Sequence, residues 1–210
     1  MKHVGSGQVD VWAERRLAAR RAALAGLVVA ALAAATEATA APVRSQQGGI
    51  VIGEVQYDPE PSGSENAFEW VELHNAGGQP VPLAGWQIAD NRAADPLPDV
   101  ELAAGGYLVV AGERFPELFP AYAGPLVTLA SIGNGLGNAG DRVQLIDGGG
   151  NVVDALSYGD DVGILDPAVP LAAAGHSLER VPAGVDTDTA ADWADQPSPS
   201  PGGPPSGLPP

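Results

Sequence analysis

Residues 68–75 read Phe-Glu-Trp-Val-Glu-Leu-His-Asn, and a turn with two glycines follows them. Successive side chains of a β-strand point to opposite faces, so this order places Val71 and Leu73 on one face and Trp70 and Glu72 on the other. The segment therefore predicts a β-strand whose two faces differ in chemistry.

Short segments of similar character lie on both sides of this strand along the chain. They are rich in β-branched or other apolar residues and are bounded by Gly, Pro or Asp, so we predict strands at 50–57, 81–90, 100–102, 107–111, 126–132, 142–146 and 151–158. The last two form a hairpin in which glycines supply positive φ. Loops are predicted at 91–99 and 133–141, and a single helical turn at 113–119. This organisation favours an all-β sandwich or barrel.

The first forty residues differ from the rest of the chain. Their basic cluster consists of Arg15, Arg16, Arg20 and Arg21. An apolar run at 22–35 and the small residues Ala38-Thr39-Ala40 complete the three parts of a secretory signal. The run is shorter than the roughly 20 apolar residues that span a bilayer, so cleavage near Ala40 is favoured over an uncleaved anchor. A twin-arginine route is also open.

Without the signal, the chain keeps 23 acidic residues and five arginines and has no lysine, so its net charge is near −18. Nucleic-acid binding depends on Lys and Arg displacing counterions, so this composition argues against direct electrostatic binding of nucleic acid. It is compatible with divalent cations or basic partners. The chain has no cysteine, which excludes thiol catalysis and leaves stability to the hydrophobic core.

These features divide the chain into four parts. We predict a helical signal segment at 1–40, a polar linker at 41–49, one β-sandwich at 50–195, and a disordered Pro/Ser/Gly-rich tail at 196–210. Apart from the N-terminal segment, no contact with a membrane is expected.

Several fragments occur in an order that resembles the lamin-tail domain family. One is Glu69-Trp70-Val71-Glu72-Leu73, and another is Gly137-Asn138 followed by Gly140-Asp141. The resemblance runs from about residue 50 to residue 202 through the fragments 54–59, 69–75, 83–90, 102–110, 137–145, 153–158 and 177–180, and then Pro199-Ser200-Pro201-Gly202.

The resemblance implies an immunoglobulin-like β-sandwich. It also implies, for a bacterial member, an exported module that stands alone or is joined to secreted nucleases, phosphoesterases and surface proteins. The family offers no catalytic residues to carry over. Its motif residues have structural roles as core anchors, turn formers and loop caps, and here they are Trp70, Asn75, Gly85, Trp86, Asn138, Gly140 and Asp141.

Catalytic constellations are weak in this sequence. Glu69 and Glu72 have an odd spacing on one strand and point to opposite faces, so we expect them to be solvated or paired with arginine. His176-Ser177 lacks the Gly-x-Ser-x-Gly elbow that exposes a nucleophile. His74 stands at a strand end and is predicted to lie on the surface.

Calcium is the small partner that the sequence favours most. It takes six to eight oxygen ligands, often from acidic loops. Asp58 and Glu60 follow the first predicted strand, and Asp160 and Asp161 follow the last one. These four residues are weak calcium candidates, because no EF-hand pattern contains them.

The function that the sequence favours is a non-enzymatic, secreted or cell-surface module that binds or scaffolds. Its partner would be a surface or extracellular protein or a glycan, contacted through loops on a rigid sandwich. One alternative is a nucleic-acid-associated module that works through divalent cations. A second alternative is a hydrolase with an unrecognised site, for which His176 and Glu72 are the residues to test.

Overall fold

This computed structural model describes residues 49–61 and 63–205 of the chain. Its strands are β1 Ile50–Gln56, β2 Trp70–Asn75, β3 Val81–Pro82, β4 Gln87–Ala89, β5 Ala94–Pro96, β6 Glu101–Leu102, β7 Tyr107–Gly112, β8 Leu126–Leu129, β9 Gly140–Ile146, β10 Val152–Gly159, β11 Ser177–Arg180 and β12 Trp193–Gln196. One α-helix, α1 (Phe115–Leu118), and two 3₁₀ helices, Glu65–Ala67 and Ala190–Asp192, complete it. The predicted signal segment, residues 41–48 of the linker and residues 206–210 lie outside the described residues.

Two sheets make the sandwich. The larger sheet has the order β12-β11-β1-β2-β7-β8, and the smaller has the order β10-β9-β4-β5. A separate ribbon joins β3 to β6. Within the larger sheet every neighbouring pair is antiparallel except β7 and β8, which are parallel because the chain returns through α1 before it enters β8.

The core lies between the facing surfaces of the two sheets. Val71 and Leu73 of β2 face inward, as their alternation predicts, and pack with Ile88 of β4 and with Val143 and Leu145 of β9. These side chains are almost fully removed from water. Each such burial contributes roughly 1.5–3 kcal/mol, so this shared apolar layer holds the two sheets together without disulfides.

A β-bulge in β1 changes the face on which the following residues lie. The register between β1 and β2 shifts between Ile52 and Glu54, so one residue is left without a cross-strand partner. Ile52 packs in the core before the bulge, and Val55 packs in the core after it. Glu54 therefore points to the outer face of the sheet, opposite Glu72 of β2.

A buried ion pair fixes this bulge from the side of the core. The Asp154 carboxylate on β10 accepts a hydrogen bond from the Ile52 N–H, at 2.6 Å, and Arg180 on β11 donates to the Ile52 carbonyl, at 2.8 Å. Arg180 also contacts Asp154 at 2.8 Å and Asp186 at 2.9 Å. Burial raises the pKa of Asp154 to about 6 although the Arg180 charge lowers it. The pair thus joins the smaller sheet to the larger one.

The structure confirms the all-β, immunoglobulin-like sandwich and the single helical turn near residues 115–118. It differs from the sequence prediction at residues 91–99, where β5 pairs with β4 as an edge strand that ends at Pro96. A proline at the edge of a sheet loses no ladder hydrogen bond, which explains why a Pro-rich loop pattern can hide a strand.

The predicted disordered tail differs as well. Gln196 is buried and belongs to β12, and the residues that follow pack against the larger sheet. We call residues 198–203 the strap. Its apolar content is low, and polar contacts rather than a hydrophobic face bind it to the sheet, as described below.

Candidate functional site

The outer face of the larger sheet carries three glutamates on neighbouring strands. Glu54 of β1 lies opposite Glu72 of β2 on one side and opposite Glu179 of β11 on the other. All three are at most 2 % exposed. We call them the glutamate cluster. The prediction that Glu72 is solvated or paired with arginine is wrong, because the strap covers it and no arginine bonds to it among the described residues.

The strap binds the cluster through its own donors. The Gly202 N–H donates to Glu72 at 2.5 Å, and the Ser200 N–H donates to Glu54 at 3.1 Å. The Ser200 hydroxyl donates to Glu179 at 3.1 Å. Every carboxyl of the cluster is thus bonded to the strap, which satisfies buried groups that would otherwise cost several kcal/mol.

Strand neighbours complete the hydrogen bonding of the cluster. Ser177 donates a hydrogen bond to Glu54, and the Gln196 side-chain amide donates to Glu179 at 2.6 Å. Burial raises the pKa of Glu54 to about 7, although the bonds from Ser177 and Ser200 lower it. Burial also raises the pKa of Glu72 to about 8, and the charges of Glu54 and Glu179 raise it further. Glu72 therefore remains protonated near neutral pH, and Glu54 is close to half-protonated there.

His74 and Tyr107 lie beside the cluster. Their rings stack at 4.4 Å between centroids, and burial lowers the pKa of His74, which favours the neutral imidazole. The prediction of a surface histidine is wrong, since His74 is only 9 % exposed. Its Nδ1 has no hydrogen-bond partner within the described residues.

An aromatic layer covers the other half of this outer face. The Trp70 ring packs edge to face against Phe115 and Phe119, with 6.0 Å and 5.7 Å between ring centroids respectively. The Trp70 indole donates to Gln56 at 2.8 Å. Trp70 is therefore an anchor, as expected, but in a second apolar cluster separate from the main core, whereas Trp86 packs in the main core.

A groove of about 500 Å³ opens at the surface where the aromatic layer meets the strap. One wall is formed by the residues after α1, including Phe119, Pro120 and Tyr122. The strap and Pro204 form the other wall. The lining residues carry no charge.

The four calcium candidates lie in separate arrangements. Asp161 makes a bidentate ion pair with Arg142, with N···O distances of 2.8 and 2.9 Å. Asp58 accepts a hydrogen bond from the Asn138 side chain at 3.1 Å. Glu60 is exposed, and the Asp160 side chain lies beside Gly140. Within residues 49–61 and 63–205, no three acidic or histidine side chains are grouped so that they could hold a metal ion. Calcium binding remains a sequence prediction.

The residues of the hydrolase alternative are not brought together. His176 pairs with Asp195 at 2.9 Å, whereas Ser177 is fully buried and bonds to Glu54 instead. Glu69 is also buried and accepts from the Leu136 N–H at 2.9 Å, so its predicted solvation is wrong. Burial raises the pKa of Glu69 to about 8.

The glycine-rich loop binds the chain's own carboxylates. Backbone N–H groups of Gly133, Asn134, Leu136 and Gly137 donate to Asp95, Asp90, Glu69 and Asp141 respectively, at 2.6 to 3.0 Å. These bonds hold the loop over one end of the sandwich. The sequence predicts a loop here but does not predict these bonds, although exposed N–H groups in a glycine-rich loop are a signal for anion binding.

The remaining motif residues lie in turns or at the ends of strands. The Asn75 side chain accepts from the Gly77 N–H at 2.9 Å and donates to the Leu102 carbonyl at 2.9 Å, and Asn138 joins Asp58 to Glu65. Gly85 has a φ of 80° before β4. Gly140 has a φ of 156°, and a Cβ there would lie 2.2 Å from the Asp160 side chain.

A comparison with protein families places this geometry among known domains. The family model of the lamin tail domain matches residues 44–160, more than half of the chain. The chain belongs to the lamin tail domain family. No curated protein matches it.

Within this lamin tail domain the match ends at residue 160, soon after β10. Glu54, Glu72 and the aromatic residues under the groove fall inside the matched segment, whereas Glu179 and the strap follow it. The covering of the outer face is thus assembled from the matched domain and from β11, β12 and the strap. Among the described residues of this lamin tail domain, no helix is long and apolar enough to cross a membrane.

Proposed function

We propose that this lamin tail domain protein is an exported, non-enzymatic module that binds or scaffolds at the cell surface or outside the cell. Its partner is a protein or glycan surface that tolerates or complements a strongly acidic ligand. The N-terminal sequence pattern supports export. The fold supports binding, since loops on a rigid sandwich commonly make such contacts.

The distribution of charge is the observation that carries this proposal. The described residues include four arginines and 23 acidic residues. Arg114 pairs with Glu117, Arg142 with Asp161, and Arg180 with Asp154. Most of the positive charge is therefore neutralised within the chain, and exposed carboxylates dominate the surface. A surface of one sign selects partners of the opposite sign and speeds their association.

The state of the buried acids supports a non-enzymatic role. A general acid or base must come within hydrogen-bond reach of the group that it protonates or deprotonates. Glu54 and Glu72 lie beneath the strap, and Ser177 is fully buried. A substrate would have to displace the strap before it reached them.

The proposal is tested by co-sedimentation of residues 41–210 with envelopes of the source cell, with calcium and then with a chelator. We expect retention that declines as the salt concentration rises, because salt screens exposed charges. Loss of retention on chelation would identify a divalent cation as the bridge. Absence of retention in both conditions would contradict a surface-binding role.

A matched control separates binding through surface charge from trapping of unfolded protein. Glu101→Gln and Asp99→Asn remove exposed carboxylates that lie outside the glutamate cluster and the groove. The double variant should keep its melting temperature and lose part of its retention. Equal retention of the variant and the wild type would show that these carboxylates do not contribute.

A further inference from the structure

The groove beside the strap is concave, uncharged and lined by aromatic and proline side chains. Phe119 and Tyr122 form its aromatic wall, and Pro120, Pro201 and Pro204 contribute flat pyrrolidine rings. Its volume of about 500 Å³ falls within the range of ligand sites in proteins. Aromatic-lined grooves of this kind suit an extended, proline-containing chain, whose conformation is already restricted before it binds.

The chain itself provides an example of such a contact. The strap contains Pro199-Ser200-Pro201-Gly202, and its backbone runs so close to Tyr122 that a Cβ on Gly202 would lie 2.7 Å from the ring. The Tyr122 hydroxyl is held by the Pro125 carbonyl at 2.7 Å, which fixes the ring in place. The aromatic wall therefore already packs against one proline-rich segment and leaves the groove open next to it.

Charge decides which proline-rich segment would enter. The described residues carry 23 acidic side chains and only four arginines. Most described arginines are in ion pairs within the chain, and no lysine is present in the described residues. A second copy of this acidic chain would be repelled, whereas a cationic segment would be attracted.

We propose that this groove binds an extended, proline-containing peptide segment that carries arginine or lysine. The inference rests on the proposed binding function and adds the site and the class of partner. Prolines of the peptide pack against Phe119 and Tyr122, and its cationic side chains are attracted by the net negative charge of the chain. The partner would be a protein with a basic, proline-rich region.

The test uses the full chain and three fluorescein-labelled decapeptides. The first alternates Pro and Arg, the second replaces Arg with Glu, and the third replaces Pro with Gly and Ser while it keeps the Arg residues. Fluorescence anisotropy measures binding. We expect the first peptide to bind at least about tenfold more tightly than either of the others, a difference of about 1.4 kcal/mol.

Two matched variants assign the site. Ala121→Arg adds a positive charge at an exposed residue of the groove, and Ala94→Arg makes the same change on β5 of the other sheet. We expect Ala121→Arg to weaken binding of the Pro/Arg peptide about tenfold and Ala94→Arg to change it less than about twofold, with both melting temperatures close to that of the wild type.

The outcomes separate this inference from the broader function. The assignment of the site to the groove would be overturned if the Pro/Arg and Gly/Ser/Arg peptides bound equally, or if both variants weakened binding equally. Either result would indicate a general affinity of the acidic surface for cations. If no peptide binds but the protein is retained on envelopes, the groove is not the site and the proposed function still stands. If no peptide binds and the protein is not retained, the groove site and the proposed function are both contradicted.

Discussion

Glutamate is seldom buried without a cation, yet three glutamates lie together beneath the strap. Their hydrogen bonds come from backbone N–H groups, hydroxyls and an amide, and these donors only partly offset the loss of water. The raised pKa values of Glu54 and Glu72 follow from this environment. At the scale of single residues, Glu54 and Glu72 make folding depend on proton uptake.

Glu72→Gln tests this dependence. The pKa of Glu72 is higher in the folded chain than in the unfolded chain, so its stabilising contribution is complete below about pH 4.5 and is lost as the pH rises through about 8. Glutamine keeps an acceptor for Gly202 and cannot ionise. We expect the variant to match the wild type near pH 5 and to be more stable near pH 9 by on the order of 2 kcal/mol, measured by urea unfolding.

Glu101→Gln is the matched control, since Glu101 is an exposed strand residue with the same chemistry. The free energy of unfolding of this variant should depend on pH in the same way as that of the wild type. If Glu72→Gln also shows that pH dependence, Glu72 does not hold a proton in the folded chain.

Arg180 is the second residue whose environment makes a sharp prediction. Arg180→Met leaves Asp154 buried without its cation and frees the bulge carbonyl of Ile52. We expect a loss of about 3–5 kcal/mol in the free energy of unfolding, measured by denaturant titration near pH 7. Adding Asp154→Asn should recover part of this loss, because no buried charge then remains. Strictly additive losses would contradict a coupled pair.

At the scale of elements, the strap is the unusual piece, because a polar, proline-rich segment binds the outer face of the sheet without joining its hydrogen-bond ladder. Gly202 has a φ of 91°, and a Cβ on it would lie 2.7 Å from the Tyr122 ring. A side chain there is disfavoured both by this backbone conformation and by the ring.

Gly202→Ala should therefore detach the strap. We expect a loss of about 1–2 kcal/mol in stability and faster proteolytic cleavage within residues 198–205, because αL strain and a steric clash act together. Gly203→Ala is the control, since a Cβ there meets open space and its φ is not in the left-handed region. Similar effects of the two substitutions would show that the strap is not fixed at Gly202.

The sequence predicts elements well where apolar alternation decides them. The faces of β2, the continuous apolar strand β7 and the hairpin of β9 and β10 follow from side-chain order alone. The outer face was harder to predict, because the bulge in β1 reverses the face of Glu54 and no local signal marks it. Trp70 beside Glu72 was the one available sign, since a tryptophan on a polar face suggests that something covers that face.

The strap could not be predicted for a related reason. Burial is usually inferred from apolar content, but here the strap is bound by N–H donors that every non-proline residue has. The acceptors lie more than a hundred residues earlier in the chain. Pairings at such separation depend on the completed sheet and leave no trace in local composition.

At the scale of the whole molecule, the buried acids should make the folded chain less stable as the pH rises. Glu54, Glu69, Glu72 and Asp154 all have pKa values raised to about 6 to 8, so the folded chain binds more protons than the unfolded chain across this range. Stability should therefore fall from about pH 5 to about pH 9, by roughly 3 kcal/mol or more.

Melting temperatures across this range provide the measurement. High salt should raise the melting temperature near pH 9 more than near pH 5, because the net negative charge is larger and screening relieves more repulsion. A melting temperature that is constant or rises from pH 5 to pH 9 would show that the buried acids are ionised at little cost.

The order β12-β11-β1 has a mechanical consequence. β1 and β12 both run antiparallel to β11, so they run parallel to each other, and the chain enters β1 at Ile50 and leaves β12 at Gln196 at opposite ends of the sheet. Tension between these two residues acts along the strands and loads both hydrogen-bond ladders in shear, with all their bonds strained at once. Tension across the strands would instead break the bonds one after another. A tether attached at these points would therefore apply force in the direction in which the sheet resists it most, once the strap had detached.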